Sequence, residues 1–313
     1  MEIINYDQLH YSVMKSETIE SLKIKKDGVY VDCTCGAGGH SYEIASRLDG
    51  GRLIAFDQDS SALDIARVRL APFSDRVTFV NANFQDVEAI LKDMGIEKID
   101  GAVIDLGVSS MQLNRPERGF AYMKEGPLSM TMNPDQSFTA YNVVNEYSEK
   151  ELEKILRVYG EEKFSQRIAS AIVSARESAP IKTTTELVGI IDSAIPMKAK
   201  KTGGHPAKRT FQAIRIEVNR ELTVIEPALR GLIDLLKPGG ILSVISFHSL
   251  EDRIVKHTFV SYQGRCTCPP DFPVCVCGCR ASIKAEKPMS PSEEEIAINP
   301  PSHSARLRVA VKL

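Results

Sequence analysis

Apolar residues along the first hundred positions come in short runs separated by stretches of helical spacing. Val29-Tyr30-Val31 is a β-branched and aromatic run that leads into Asp32-Cys33-Thr34-Cys35-Gly36-Ala37-Gly38-Gly39-His40, after which Ser41 to Leu48 carries helical spacing. The alternation repeats. Arg52 to Phe56 predicts a second strand ending at Asp57, Ser61 to Leu70 a helix, Val77 to Val80 a third strand, Val87 to Met94 a helix and Ala102 to Asp105 a fourth strand. Strands separated by helical segments of this length need right-handed crossovers and build a parallel sheet. Such sheets bind ligands beyond the carboxyl ends of their strands, so the glycine loop, Asp57, Phe84 and Asp105 are expected to converge on one crevice.

The pattern changes after Gln112. Lys150 to Tyr159 and Glu161 to Arg176 set apolar residues at helical spacing with charges between them, and a further helix is predicted from Thr185 to Ala194, capped near Thr183 to Thr185 and ended by Pro196. Ile241 to Ile245 reads as a fifth strand. The expected organisation is an α/β, Rossmann-like core with a mostly parallel, doubly wound sheet, interrupted by a helical domain. Residues 1–112 form its first part, 113–211 the insertion that recognises substrate, and 212–313 its second part, with a Cys-rich loop over 265–280.

Composition narrows the partners. With 313 residues, 43% of them apolar, the chain can bury a sizeable core, and its formal charge of -2 offers nucleic acid no global attraction. Any RNA site must be local. The start, Met1 to Asn5, has neither a basic nor an apolar export region, and no stretch has the roughly 20 apolar residues needed to span a bilayer, which predicts a cytoplasmic protein with no membrane partner. Seven cysteines, five of them between Cys266 and Cys279, do not suit a secreted disulfide scaffold. Cys266-x-Cys268 and Cys275-x-Cys277 can set four thiolates around a structural zinc, the competing reading being plain thiols in a surface loop. Cys33 and Cys35 read as packing residues.

Glycines at 36, 38 and 39 let backbone approach a ligand closely, and Asp57 stands about 20 residues on, where a carboxylate accepts from ribose hydroxyls. NAD and S-adenosylmethionine share that ribose. The acidic Asp32 favours the methyl donor, because it would repel a pyrophosphate and attract a cationic aminoacyl end. An NAD-dependent oxidoreductase and a binding module without activity stay open beside a methyltransferase.

Longer motifs then stand in order: Asp32 to Ser41, Asp105 to Leu113, Arg118-Gly119-Phe120, His205 to Ala213 and Ser246 to Arg253. Together they resemble the bacterial 16S rRNA (cytosine-N(4))-methyltransferase family, from about His10 to Val309. The resemblance implies a class I S-adenosylmethionine-dependent methyltransferase core. It implies a donor held by Gly38, Gly39, His40, Asp57, Phe84, Asp105 and Gln112, to which the glycine loop adds Gly36, and a cytidine of the decoding region of 16S rRNA as target, within an assembled small subunit. A homodimer is compatible with it.

For the chemistry, Asp105 with the Ser109-Ser110 turn forms the best acceptor set for the hydrogens of a cytosine amine, and His248 joins them as a catalytic candidate. Lys200, Lys201, Lys208 and Arg209 around Gly203-Gly204, together with His205 and Arg253, are candidates for contacting RNA. The bland alternative for Ser246 to Arg253 is a helix start capped by Ser249 and Asp252. Two departures from the family pattern stand out: Ser129 and Thr131 replace a usual Asp and Arg, and Asn299 to Ser304 lacks a common arginine.

Overall fold

Residues that alternate along each strand pack onto opposite faces of one sheet. Leu53, Ala55 and Val103 belong to one buried cluster, and Ile54, Phe56, Ala102 and Ile104 to the other. Burial on both faces is why these strands read as continuous apolar runs rather than as alternating ones. The computed structural model describes residues 12–200, 205–264, 268 and 280–313, without the side chain of Lys200. The chain divides into two compact units, residues 1–107 with 222–313, and residues 108–221.

The first unit holds β1 (Val29–Asp32), β2 (Arg52–Asp57), β3 (Val77–Asn81), β4 (Ile99–Asp105), β5 (Leu236–Ser246), β6 (Ile283–Ala285) and β7 (Arg306–Lys312), in the order β3-β2-β1-β4-β5-β7-β6. The first five are mutually parallel, with Asp32 opposite Val103 and Asp105 opposite Ile245. β7 runs antiparallel to both β5 and β6. Helices α1 (Lys15–Ser21), α2 (Gly39–Ala45) and α3 (Ser60–Arg69) cover one face of the sheet, and α4 (Val87–Asp93), α12 (Ile225–Leu235) and α13 (Ser249–Tyr262) cover the other. The strand order reverses at β1, which has β2 on one side and β4 on the other. That is the switch point where α/β sheets of this kind bind their ligands.

The doubly wound α/β core expected from the sequence is therefore present. β4 begins three residues earlier than its apolar run and β5 five residues earlier, where Pro238-Gly239-Gly240 interrupts the pattern; Gly239 has φ 78°, and the β4–β5 register shifts between Ile99 and Gly101.

The second unit is helical, with α5 (Ser110–Asn114), α6 (Ala140–Glu146), α7 (Glu149–Val158), α8 (Ser165–Arg176), α9 (Thr184–Ala194), α10 (Met197–Lys200) and α11 (Ala207–Asn219). Its core gathers Leu152, Leu156, Ile168, Ile172, Leu187, Phe211 and Ile214 among others. Ser148 and Thr183 begin α7 and α9 with capping boxes closed by Glu151 and Glu186. The expected boundary between 211 and 212 falls inside α11. Phe211, Ala213, Ile214 and Val218 share the helical core, and Asn219 donates to the Met130 carbonyl at 2.7 Å and accepts from the Met132 N–H at 2.7 Å, so the unit ends at Glu221 instead. It also begins at Val108 rather than at residue 113, because the short helix holding Gln112 belongs to it. Among the described residues no helix is long and apolar enough to cross a membrane.

Candidate active site

Three neighbouring strands, β2, β1 and β4, each end on an aspartate: Asp57, Asp32 and Asp105. Asp32 is buried and accepts from the Ser41 hydroxyl at 2.6 Å and from the Thr34 N–H at 3.1 Å. Burial pushes its carboxyl up to about 6 against those two hydrogen bonds. Asp57 accepts from the Gly36 N–H at 2.7 Å and the Asp59 N–H at 2.9 Å, which ties the glycine loop to the end of β2. Burial, with the charges of Asp59 and Asp32 adding to it, raises this carboxyl to about 6 as well. A carboxylate offers about four lone-pair positions, so two remain for hydroxyl donors such as those of a ribose.

Asp105 differs from the other two. Its backbone N–H donates to the Thr34 hydroxyl at 2.7 Å, but its side-chain Oδ1 is buried and meets no hydrogen-bond partner among the described residues. Burial first, then the charges of Asp32, Glu251 and Glu295, push the Asp105 carboxyl well above the usual carboxylate range. Just beyond it, Gly107 takes φ 95°, a conformation that L side chains adopt only with strain, and the chain turns out of the strand there. Glu251, also buried, accepts from the N–H groups of Phe247 at 2.8 Å and His248 at 3.3 Å.

Asp32 is buried and Asp57 and Asp105 are half-buried, and three carboxylates so placed around one strand-end crevice are costly unless a cation or donor groups complete them. S-adenosylmethionine brings a sulfonium, an ammonium and two ribose hydroxyls. The residues present fit it: an acceptor oxygen stands orphaned at Asp105, lone pairs remain at Asp57, and the glycine loop turns through Gly38 at φ 78°. Thr34, Ser41 and Glu251 are the positions the sequence did not single out for these roles. Glu251 had a signal, since its distance of three residues from His248 is the spacing of a capping box.

The other candidates fall as follows. His40 is buried, with Nε2 3.2 Å from the Val13 carbonyl oxygen. Phe84 begins a short 3-10 turn after β3 and packs, half-buried, against the sheet core. Cys33 and Cys35 are buried packing residues, and burial holds both thiols well above their ordinary pKa. His248, not Ser249, is the N-cap of α13, and Asp252 binds Arg308 rather than the helix start, so the alternative of a Ser249 and Asp252 cap gives way to one closed by Glu251. His248 Nε2 lies 3.1 Å from Glu251 Oε1. Arg253 is exposed on the same helix.

In the helical unit, Ser109 and Gln112 form a capping box at the start of α5, each bond 3.2 Å, with Ser110 as the first helical residue. His205 stacks on Tyr122 with centroids 4.5 Å apart and accepts from the Ala207 N–H through Nδ1 at 3.2 Å. Lys208 is exposed, and Arg209 donates to the Glu161 carbonyl at 2.9 Å. The departure at Ser129 and Thr131 is a hydroxyl pair 3.0 Å apart, a neutral contact where the pattern expects an ion pair. Lys201, Cys266, Cys275 and Cys277 lie outside the described residues, and so does the side chain of Lys200. Of the four zinc candidates only Cys268, half-buried, is described.

Residues 7–313 match the MraW methylase family. The chain belongs to that family. Relatives with near-identical length include "Ribosomal RNA small subunit methyltransferase H" of Paenibacillus sp. (strain JDR-2), 53% identical and covering 97% of this chain and 99% of its own. The protein of the same name in Clostridium botulinum (strain Kyoto / Type A2) is 54% identical, with 97% and 99% covered. Among solved structures, an rRNA methylase from Streptococcus thermophilus aligns with a TM-score of 0.45 and 12% identity over 96% of this chain and 95% of its own, a distance at which nothing is added to the assignment. As a member of the MraW family the chain is an S-adenosylmethionine-dependent methyltransferase, which removes the dinucleotide oxidoreductase alternative.

Proposed function

We propose that this chain methylates the exocyclic N(4) amine of a cytidine in the decoding region of 16S rRNA, in the cytoplasm and on an assembled small subunit. The observation that carries the chemistry is the orphaned, buried Oδ1 of Asp105 at the end of β4. The full-length likeness to proteins named for methylation of small-subunit rRNA supports the substrate.

S-adenosylmethionine, when bound, supplies an electrophilic methyl carbon. The rest falls to the protein. Gly36, Gly38, Gly39, His40, Asp57, Phe84 and Gln112 would hold the donor, and orientation of this kind can contribute roughly 7–11 kcal/mol to lowering the barrier. A cytosine amine is a weak nucleophile because its lone pair is conjugated with the ring. An acceptor aimed at one of its hydrogens localises that pair as the new N–C bond forms and the S–C bond breaks. Asp105 Oδ1, with no hydrogen-bond partner among the described residues, can accept that hydrogen bond and then the proton that the nitrogen sheds. Ser109, Ser110 and His248 would line the base, while Lys200, Lys201, His205, Lys208, Arg209 and Arg253 would meet RNA. The target base must be unstacked to reach the crevice.

The test is transfer of a labelled methyl group from S-adenosylmethionine to small subunits isolated from cells lacking this protein, with the product nucleoside identified by mass spectrometry. We expect an N(4)-methylated cytidine that disappears with Asp105→Ala. Donor binding without any incorporation would overturn the substrate assignment.

A further inference from the structure

At the carboxyl edge of the sheet, the start of α13 and residues 303–306 border an open cleft of about 800 Å³. Arg253, Lys256 and Arg306 line it with the imidazoles of His248, His257 and His303. The one lining carboxylate, Asp252, is engaged by Arg308 through two hydrogen bonds of 2.7 and 2.9 Å and pairs with Arg306 at 3.5 Å. Three cations therefore face one carboxylate that an arginine outside the lining already neutralises. The side chains of Lys256, His257 and His303 make no hydrogen bond or ion pair among the described residues. In a chain whose formal charge is -2, this local excess is a departure from the average surface.

Its position relates it to the chemistry. Ser246, which lines the cleft, is the last residue of β5 and pairs with Arg306 of β7, while Asp105 pairs with Ile245. Two strand spacings of about 4.8 Å put the cleft roughly 10 Å across the sheet edge from Asp105, about three stacked nucleotide steps at roughly 3.4 Å each. We infer that this cleft is a phosphate subsite, taking the phosphodiester backbone of the RNA a few nucleotides from the methylated base. The inference rests on the reading of the substrate as RNA. The cleft anchors the strand so that one base reaches Asp105.

Lys256 is exposed and takes no part in donor binding, so Lys256→Glu tests the cleft with little risk to folding; Lys256→Ala, checked by its thermal midpoint, is the second variant. Three quantities are read on the full chain: KM and kcat for small subunits, donor affinity by calorimetry, and the salt dependence of binding to a single-stranded RNA oligonucleotide. For Lys256→Glu we expect KM raised about tenfold with kcat within about twofold, unchanged donor affinity, and a salt slope reduced by about one. Unchanged KM and slope in an enzyme that methylates subunits would overturn the cleft alone. Wild-type protein that methylates no subunits would sink the substrate reading, and oligonucleotide binding then still decides the cleft: weaker in the variant supports it, equal overturns it. A raised KM for subunits with unchanged oligonucleotide binding would also overturn it, because the cleft would then meet a protein of the subunit.

Discussion

Asp105 and Gly107 are where single side chains decide most. Asp105→Asn keeps the shape of the carboxyl while removing its capacity to take a proton, so turnover should fall about 10²- to 10⁴-fold while the donor dissociation constant moves only severalfold. Single-turnover methyl transfer checks this, and an unchanged rate would move the proton acceptor elsewhere. Gly107→Ala adds a Cβ that meets only ordinary contacts, Phe247 at 3.6 Å and Glu251 at 3.9 Å, so its cost is the backbone at φ 95°, about 1–2 kcal/mol by urea unfolding. Asp105 was conspicuous in the sequence at the end of a strand, and Gly107 two residues on stood only as part of a longer motif. Their partners were not. That Thr34 receives the Asp105 N–H, and Ser41 donates to Asp32, follows from how a loop folds back on the strands beside it, and no local pattern encodes that.

At the scale of elements, the start of α13 shows how a cap and a site share residues. Glu251 accepts from two N–H groups at the helix start and also lends its charge to Asp105. Glu251→Ala should therefore lower stability by about 1 kcal/mol in urea unfolding and bring the Asp105 pKa down, visible as an acid shift of the kcat profile. Thr183→Ala should cost about 1 kcal/mol in the same assay with no change in donor affinity, since its capping box lies at the start of α9 in the helical unit. Helix α8 was expected from Glu161 and begins at Ser165. Glu161 takes φ 47°, outside helical space, and Glu162 spends its carboxylate on the Phe164 N–H at 2.9 Å. Apolar spacing locates a helix well and its first turn poorly, because the first turn is set by which side chain reaches a backbone N–H.

For the whole molecule, the crowded carboxylates predict a pH dependence of stability. A carboxyl whose pKa is higher folded than unfolded binds more protons in the folded chain between the two values. The stability linked to Asp32 and Asp57 is therefore full below about pH 4 and is lost as pH rises through about 6. Each shift corresponds to a change on the order of 2–3 kcal/mol. Donor-free protein should lose stability from this source between about pH 4 and 6, Asp32→Asn should flatten that part of the curve, and saturating S-adenosylmethionine should reduce it by supplying positive charge; unfolding midpoints across pH check all three. The sequence alone determined the run of parallel strands, the helical insertion and the aspartates at the strand ends, because periodicity and glycine placement are local and each segment carries its own. Only the tertiary structure decided where the helical unit stops, how β7 turns against β5, and that Arg308 reaches Asp252 from 56 positions away to leave a basic cleft at the sheet edge. It also decided that Asp105 Oδ1 is left without a hydrogen-bond partner among the described residues. These outcomes depend on pairings between distant segments, and burial shifts a carboxyl by amounts its neighbours in sequence do not reveal.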